Sequence, residues 1–302
     1  MILKHKSERQ MLFAFALNLY LYLLIYWKYV IMYLLDMHDL IRREFKMKYT
    51  QGKYAITKKT AIAKNIYSFE ILCPEVAAIA VPGQFVHIRI GAFTLRRPVS
   101  ICGIDKAKGT LRIVFEIRGE GTGEIAKLNE GELIDMLAPL GHGFTIKPEF
   151  ENVVLVGGGI GTPPMLPLAQ EYGKKAVAIT GFRSASAVIL QEDLAKSGAR
   201  TILCTDDGSQ GFHGFVTQPM EELLNNSKID AVYACGPLPM LKRISAMAVE
   251  KGIFCEISLE ERMACGIGAC LGCACKVKRN DEEYFAHVCK NGPVFNAEEV
   301  IW

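Results

Sequence analysis

Four cysteines near the end of the chain restrict its fold more than any other feature. Cys265, Cys270 and Cys273 follow the spacing Cys-x4-Cys-x2-Cys, and fifteen residues separate Cys273 from Cys289. This is the plant-type spacing of the ligands of a [2Fe–2S] cluster. Glycines between the cysteines leave the backbone free to pass close to the inorganic sulfides. The pattern therefore predicts a small iron-sulfur domain.

Two alternatives to this ligand set follow from the same residues. Four thiolates also bind zinc, but zinc sites usually combine two Cys-x2-Cys pairs and this segment contains one. Cys275 competes with Cys289 for the fourth position because it also follows Cys273. It falls in a strand-like segment, residues 274–278, and we expect its side chain to point elsewhere.

Charge and cysteine usage limit the partners and the compartment. A net charge of +3 gives no basic field for nucleic acid. Of the ten cysteines, five lie between Cys265 and Cys289, and the others are scattered without a pairing rhythm. Because no cleavable signal is recognisable either, this usage indicates a reducing compartment, and we expect a cytoplasmic protein.

The first part of the chain is predicted to be an extension, residues 1–47, of unusual composition. Residues 11–35 are almost wholly apolar, and their length suits a membrane span. Arg42, Arg43, Lys46 and Lys48 would then keep the following domain at the cytoplasmic face of the membrane. Two other interpretations remain open. One is a soluble amphipathic helix. The other is a translation start assigned too far upstream, since Met47 opens a run typical of a domain start.

Two sequence patterns divide the rest of the chain into regions. Residues 48–148 contain short β-rich runs separated by glycine and proline, which indicates an antiparallel barrel. Residues 149–256 alternate continuous apolar runs with helical stretches, which is typical of a parallel α/β sheet. Residues 257–302 would form the iron-sulfur domain.

The barrel region contains two weak candidates for phosphate binding. Arg97 and Ser100 supply a cation and a hydroxyl at the spacing Arg-x-x-Ser, a pair that can hold a pyrophosphate. Gly121 and Thr122 lie where a helix is expected to begin, and free N–H groups at a helix start bind the same kind of anion. Neither motif is specific alone, because an arginine pair is more often a solvated strand edge.

A glycine-rich loop follows the first apolar run of the α/β region. A loop between a buried strand and a helix is the context in which such a turn binds phosphate. We expect Thr162 to cap the following helix. A simple tight turn is the alternative. The predicted nucleotide-binding residues of this loop are Gly157, Gly158, Gly159, Gly161 and Thr162.

Two further strand ends are expected to face the same crevice. Asp206 follows one apolar run, and Cys235, Gly236 and Pro237 end another. Ligands of open α/β sheets bind outside the carboxyl ends of the strands. We expect the Cys235 thiol to lie near a nicotinamide, although an ordinary buried cysteine is the alternative.

Three of these motifs, taken in order, resemble those of the ferredoxin-NADP⁺ reductase superfamily. They are Arg97-Pro98-Val99-Ser100, the loop that begins at Gly157, and Cys235-Gly236-Pro237. The cluster segment, from Glu260 to Cys270 and from His287 to Phe295, is similar to that of electron-transfer subunits of NAD⁺-dependent dihydroorotate dehydrogenase. The resemblance covers residues 48–302.

This resemblance implies cofactors and partners that composition does not reveal. It implies FAD, a [2Fe–2S] cluster and NAD, with a catalytic subunit that carries FMN and oxidises dihydroorotate in pyrimidine biosynthesis, the two subunits forming a heterotetramer. The preference for NAD rests on the family, because Arg183 could equally meet the 2′-phosphate of NADP. The implied FAD contacts are Arg97, Pro98, Val99, Ser100, Val114, Phe115, Glu116, Gly121 and Thr122.

Two rival functions are weighed against this one. The first is the small subunit of an NADPH-dependent ferredoxin or sulfide reductase, in which the first cluster ligand is typically aspartate; Cys265 stands at that position here. The second is a membrane-tethered electron carrier without nucleotide chemistry, which the loop at Gly157 disfavours. We therefore expect electrons to pass from FMN through the cluster and FAD to NAD⁺.

Overall fold

The computed structural model describes residues 49–91 and 93–302. The apolar segment 11–35, with its alternative interpretations, lies outside the described residues. None of the helices in the described ranges is both long enough and apolar enough to cross a membrane. Residues Tyr49–Trp302 form one compact unit.

The first part of this unit is a closed six-stranded antiparallel barrel with strand order β1-β2-β5-β4-β3-β6. A short helix, α1, follows β2, and a second helix, α2, follows β5. The strands are β1 Thr50–Ala63, β2 Ile66–Leu72, β3 Phe85–Arg89, β4 Arg97–Asp105, β5 Thr110–Glu116 and β6 Leu133–Leu140, and the helices are α1 Pro74–Ile79 and α2 Glu120–Lys127.

Alternation along the strands explains the barrel core. In β5, Leu111, Ile113 and Phe115 point into the barrel and are buried there. Val114 points outward, yet it is also buried, because the outer side of β5 packs against the second domain. The barrel therefore has a filled interior and one covered outer face, and the predicted antiparallel barrel is confirmed.

The second part is a seven-stranded sheet with order β10-β9-β8-β7-β11-β12-β15. All its neighbouring strands are parallel except β15, which runs antiparallel to β12 at one edge. The strands are β7 Val153–Gly158, β8 Ala176–Phe182, β9 Arg200–Thr205, β10 Phe212–His213, β11 Ala231–Cys235, β12 Phe254–Ser258 and β15 Val294–Asn296, and the helices are α3 Met165–Tyr172, α4 Gln191–Lys196, α5 Thr217–Asn226 and α6 Leu238–Glu250.

Central strands of the sheet are buried on both faces, as their continuous apolar sequences require. Every residue of β7 is buried, and so is every residue of β11. Cys235 pairs with Gly157 on one side and with Ser258 on the other, so the carboxyl ends of three neighbouring strands are level. This parallel α/β architecture was predicted from the sequence and is confirmed.

The cluster segment is an excursion between two adjacent strands of this sheet. After β12 the chain forms a cysteine-rich loop and a two-stranded hairpin, β13 Ala274–Arg279 and β14 Glu282–His287, before it returns as β15. The predicted boundary between residues 256 and 257 stays a prediction. Because both ends of the excursion belong to one sheet edge, the cysteines are held close to the nucleotide-binding domain.

Candidate functional site

Backbone N–H groups converge on the sulfur atoms of the cysteine loop. The N–H of Gly268 donates to Sγ of Cys289 at 3.1 Å, and the N–H of Ala269 donates to Sγ of Cys265 at 3.3 Å. The N–H of Cys289 donates to Sγ of Cys273 at 3.4 Å. N–H groups aimed at sulfur stabilise thiolates, so the loop is shaped to hold anionic ligands.

The four cysteines fall into two pairs. Cys265 and Cys270 form one pair, because the N–H of Cys270 donates to Sγ of Cys265 at 3.4 Å, and Cys273 and Cys289 form the other. Among the described residues, no three His, Cys, Asp or Glu side chains converge as ligands of a single ion. Two pairs suit a [2Fe–2S] cluster, in which four cysteines serve two irons.

Electrostatics differ between the two pairs. Partial burial of Cys265 opposes ionisation, but hydrogen bonds from Ile267, Cys270 and Ala269 outweigh it and lower the pKa of the thiol to about 6. Burial, followed by the contact with Cys273, raises the pKa of the Cys289 thiol to about 12. A thiol of the second kind ionises when a coordinated metal supplies positive charge. The residues present therefore fit an iron-sulfur cluster.

Cys275 lies outside this arrangement. It is on β13, where it pairs with Ala286, and it is half-buried. Burial, followed by the charges of Glu261 and Cys273, raises the pKa of the Cys275 thiol to about 11. No N–H of another described residue donates to its sulfur, whereas the N–H of Gly268 donates to that of Cys289, so the geometry supports Cys289 as the fourth ligand.

An open cleft lies where the barrel, the parallel-sheet domain and the cluster loop meet. From the barrel it takes seven of the nine residues predicted to contact FAD. These are Pro98, Val99, Ser100, Val114, Phe115, Glu116 and Thr122. The other two lie against each other nearby, since a Cβ on Gly121 would overlap the guanidinium group of Arg97.

The turn before α2 is shaped by the hydroxyl of Thr122. This oxygen accepts hydrogen bonds from the N–H groups of Arg118 at 2.9 Å and Gly119 at 3.2 Å. The helix begins at Glu120, two residues earlier than the sequence indicated, and the guanidinium of Arg97 packs on its first turn at Gly121. A cation and a helix start therefore meet beside the cleft, which suits an anionic pyrophosphate.

The opposite wall of the cleft comes from residues that were not predicted. Ile160 lies in the turn after β7, Ser258 ends β12, and Glu260, Met263 and Pro293 belong to the cluster segment. Ser258 ends β12 next to Cys235, so the rule that ligands bind at strand ends could have identified it. The contributions of the cluster segment come from long-range packing and have no local signal.

Close packing explains the glycine loop after β7. A Cβ on Gly161 would overlap the carbonyl of Cys235, and one on Gly158 would come within 2.7 Å of Sδ of Met240. Gly159 has φ +54 and open space around it, so its backbone is accessible. Gly236 has φ +155, and a Cβ there would come within 3.0 Å of Gly158. The predicted loop and the predicted strand end therefore touch.

Thr162 does not cap the following helix, which corrects the expectation from the sequence. Gly159–Gly161 form a 3-10 turn, and α3 begins only at Met165 with Pro164 at its N-cap. The Thr162 hydroxyl is fully buried and has no hydrogen-bond partner among the described residues. Pro163 and Pro164 lack N–H groups, so a capping side chain at Thr162 would find few free N–H donors.

The remaining predicted residues lie at neighbouring strand ends. Cys235 is buried under the loop, and burial, followed by the charge of Glu260, raises the pKa of its thiol to about 12. Asp206 is exposed in the turn after β9, and its N–H donates to the carbonyl of Phe182. Arg183 is exposed directly after β8. These residues follow the carboxyl ends of neighbouring parallel strands and so lie along one edge of the sheet.

Comparison with known proteins adds family evidence. The model of the iron-sulfur cluster binding domain of dihydroorotate dehydrogenase B matches residues 260–301. The electron transfer subunit of dihydroorotate dehydrogenase B (NAD(+)) of Fusobacterium nucleatum is 42% identical, covering 81% of this chain and 96% of the relative. The subunit of the same name from Geobacillus sp. (strain WCH70) is 40% identical, covering 83% and 98%.

Solved structures show the same architecture. A chain of the NADH-dependent reduced ferredoxin-NADP oxidoreductase, studied for flavin-based electron bifurcation, is 32% identical with a TM-score of 0.74, covering 84% of this chain and 91% of that one. A ferredoxin NADP⁺ reductase from Neisseria gonorrhoeae, solved with FAD and NADP, is 18% identical with a TM-score of 0.56, covering 69% and 93%. The second likeness concerns the fold alone.

Proposed function

Because the chain belongs to the family of electron transfer subunits of NAD⁺-dependent dihydroorotate dehydrogenase B, we propose that it carries electrons from the FMN of a catalytic subunit to NAD⁺. Dihydroorotate is oxidised to orotate in that partner, as a step of pyrimidine biosynthesis. The chain is thus the redox relay of an oxidoreductase, and two copies of each subunit form the working heterotetramer.

One observation carries this proposal, the cleft that the three parts of the molecule share. Barrel residues such as Ser100, sheet residues such as Ser258, and Met263 of the cluster segment line the same space. A cofactor in this cleft is within reach of a nucleotide on one side and of the four cysteines on the other. Such an arrangement serves a relay between one-electron and two-electron carriers.

The division of labour among the residues follows from their positions. Arg97 and the start of α2 hold the FAD pyrophosphate, while Val99, Ser100, Val114 and the other barrel residues of the cleft orient the flavin. Bound FAD supplies the chemistry, because a flavin exchanges single electrons with a cluster and a hydride with nicotinamide. The chain contributes binding, distance and exclusion of water.

The loop at Gly157 and the end of β11 hold the nucleotide. The open space around Gly159 leaves its backbone within reach of phosphate oxygens, and the nicotinamide would lie at the end of β11, where Cys235 is buried beneath the loop. With its pKa raised to about 12, the Cys235 thiol stays protonated and does not compete as a base. We infer the preference for NAD over NADP from the family.

Electrons enter at the exposed edge of the cluster loop. Cys270 is exposed, and it lies between Ile267 and Leu271, whose side chains are 39% and 59% exposed. Exposed apolar side chains around a redox centre suit a protein interface, whose buried centre is poor in charged residues. We therefore infer that the catalytic subunit covers this edge.

Reconstitution with the partner tests the proposal. The chain is purified anaerobically, alone and together with an FMN-containing dihydroorotate dehydrogenase subunit, and NADH formation from dihydroorotate is followed by absorbance. We expect NADH formation by the pair and none by either chain alone, since the described residues offer no base poised on a dihydroorotate site. The isolated chain should still reduce ferricyanide with NADH, which reports on the FAD half of the relay.

The rival function has a defined signature. The likeness to a chain of a ferredoxin-NADP oxidoreductase favours a test with NADPH and ferredoxin. Ferredoxin-dependent turnover with NADPH, without dihydroorotate-dependent NADH formation by the pair, would overturn the proposed role. Cysteine at position 265 instead of aspartate supports the dihydroorotate system.

We also infer a cytoplasmic location, at which reduced thiols persist. All ten cysteines of the chain are free, including five outside the cluster segment that are buried singly. Cell fractionation with antibodies to the barrel domain measures this directly. Recovery of the chain with the membrane fraction after a salt wash would contradict the inference and favour the alternative of an anchor in residues 11–35.

A further inference from the structure

His87 is a buried polar residue that no role described so far explains. It lies on β3 and is fully buried. Val86 and Ile88, its neighbours on the strand, point into the barrel core, so His87 points out of the barrel. Neither ring nitrogen makes a hydrogen bond of good geometry with the described residues, although the backbones of Arg96 and Cys265 lie close to the ring. An unpaired buried polar group destabilises a folded protein, so an apolar residue would be better at this position if packing alone mattered.

The outer side of His87 faces the cluster loop. A Cβ on Gly266 would overlap Nδ1 of His87, with Cε1 at 3.1 Å and Cγ at 3.2 Å, so the ring lies edge-on against the backbone next to Cys265. Gly266 also has φ +74, which favours glycine. The cluster loop is therefore shaped to accept this imidazole at close range.

The other neighbours of His87 belong to the flavin cleft. Phe85, which lines the cleft, packs edge-to-face with the imidazole at a centroid distance of 6.5 Å. On the neighbouring strand β4, the partner of His87 is Pro98, another cleft residue. Its backbone is braced, because Nη1 of Arg96 donates to the His87 carbonyl at 3.2 Å and to Asp135 at 2.8 Å. His87 thus stands between the flavin cleft and the cluster loop.

We propose that His87 is a positioning residue of the electron path, which holds the Cys265–Gly266 backbone against the flavin barrel through the Nδ1 edge of its ring. This inference rests on the proposed function and deepens it. Electron transfer between two centres weakens steeply as they separate, so a contact that fixes the cluster loop against the flavin barrel would hold the distance between the two centres. The Nδ1 edge also adds a polar group beside the first cluster ligand, which tunes the cluster potential.

Three substitutions separate the nitrogen atom from the volume of the ring. His87→Asn keeps an amide group near the place of Nδ1, His87→Gln carries it farther out toward Nε2, and His87→Leu keeps apolar volume alone. We expect His87→Leu to change the one-electron equilibrium between flavin and cluster about tenfold, which is about 59 mV in the cluster potential. His87→Gln should resemble His87→Leu, and His87→Asn should recover most of the wild-type value.

The measurements use the full chain with both cofactors. The FAD and iron contents per chain verify that both cofactors are bound. A potentiometric titration followed by EPR gives the reduction potential of the cluster. Stopped-flow mixing with NADH separates flavin reduction from the later reduction of the cluster. We expect the first phase to be unchanged and the second to be slower in His87→Leu. Equal effects of all three substitutions, or wild-type values in all three, would overturn the role of Nδ1.

A second approach to the same contact covers the case in which His87→Leu fails to load. Gly266→Ala places a methyl group against Nδ1 and should also slow the second phase. Combining it with His87→Ala frees space for that methyl, so the double variant should lose less than the two single effects together. Additive losses would contradict the contact. A wild-type chain without a cluster EPR signal would instead contradict the proposed function itself.

Discussion

At the residue scale, the ten cysteines differ in what surrounds them. Cys73, Cys102 and Cys255 are buried in apolar surroundings, and burial raises the pKa of each thiol to about 12. Cys265 receives several N–H groups and has a pKa of about 6. Slight burial and several hydrogen bonds to sulfur together distinguish Cys265 from these structural cysteines.

Replacement of Cys289 should remove the cluster, whereas replacement of Cys275 should not. Cys289→Ser deletes a sulfur that lies beside Cys273 and accepts the N–H of Gly268, and Cys275→Ser changes a side chain on β13. Iron and sulfide analysis with EPR of the reduced chain checks both variants. Loss of the cluster in Cys275→Ser with retention in Cys289→Ser would reverse the assignment.

Arg97 should contribute strongly to FAD binding. Hydrogen bonds to a charged partner contribute about 1.5–3 kcal/mol, so we expect Arg97→Ala to weaken FAD binding by about 10- to 100-fold. Fluorescence titration of the FAD-depleted chain measures this. Arg200→Ala, at the far end of β9, is the matched control and should bind FAD normally. Equal FAD affinity of the two variants would contradict the role of Arg97.

Spacing predicted the residues whose partners are near in sequence, and packing decided the others. The cysteine pattern and the run Arg97 to Ser100 are local, and the structure brings each group together. The choice between Cys275 and Cys289 required the register of β13, which places Cys275 on a paired strand. His87 could not have been predicted as a site residue, because Gly266 meets it only after the barrel and the cluster loop have packed.

At the element scale, the loop between β7 and α3 has little room for added atoms. Gly161 lies against the carbonyl of Cys235, and Gly158 lies against Met240 of α6. Two elements that are distant in the sequence, the glycine loop and the end of β11, are thereby locked together. The nucleotide surface is preorganised, which lowers the entropy lost on binding.

Crowding this loop should weaken NADH binding and spare the other cofactors. Gly161→Ala forces the loop away from Cys235, and overpacking of this kind costs about 1–3 kcal/mol, so NADH affinity should fall about tenfold. Steady-state ferricyanide reduction gives the change in KM. FAD and iron contents should match those of the wild type. An unchanged KM would contradict close packing at this position.

Sequence patterns predicted some helices and strands and missed others. The apolar runs gave the parallel strands, since burial on both faces leaves a continuous signal. The edge strand β15 was not predicted, because three residues carry too little pattern and their partner β12 precedes the whole cluster segment. The cap expected at Thr162 was wrong, because prolines at 163 and 164 delay the helix until Met165.

At the scale of the whole molecule, an ion pair joins the barrel to the parallel-sheet domain. Nη1 of Arg112 on β5 lies 3.0 Å from Oδ1 of Asp193 on α4, and Nε of Arg112 donates to Ser68 at 2.8 Å. Both partners of the ion pair are partly exposed, so the pair is a modest contribution to stability. It restricts rotation between the two domains that line the flavin cleft.

A double-mutant cycle measures this contact. We expect Arg112→Ala and Asp193→Ala to show a coupling free energy of about 1 kcal/mol in urea unfolding, since the two residues are direct partners. The single variants should also reduce the rate of flavin reduction by NADH, because the nucleotide and the flavin sit on different domains. Additive effects on unfolding would show that the pair does not couple the domains.

Removal of the first 46 residues should leave the redox properties intact. Tyr49–Trp302 form one compact unit, which contains every residue assigned to FAD, NAD or the cluster. A chain that begins at Met47 should therefore have the same FAD and iron content and the same rate of NADH-dependent ferricyanide reduction. Loss of either cofactor in this variant would show that the extension supports the binding sites.

The position of β15 has a consequence for how the protein is made. This strand completes the edge of the parallel-sheet domain beside β12, yet it lies downstream of Cys289 in the chain. A ribosome therefore releases all four cysteines before the last strand of that sheet can pair. The last ligand of the iron centre is thus made before the last strand of the sheet, and a message cut short between Cys289 and β15 supplies all four cysteines but leaves the edge of the sheet beside β12 incomplete.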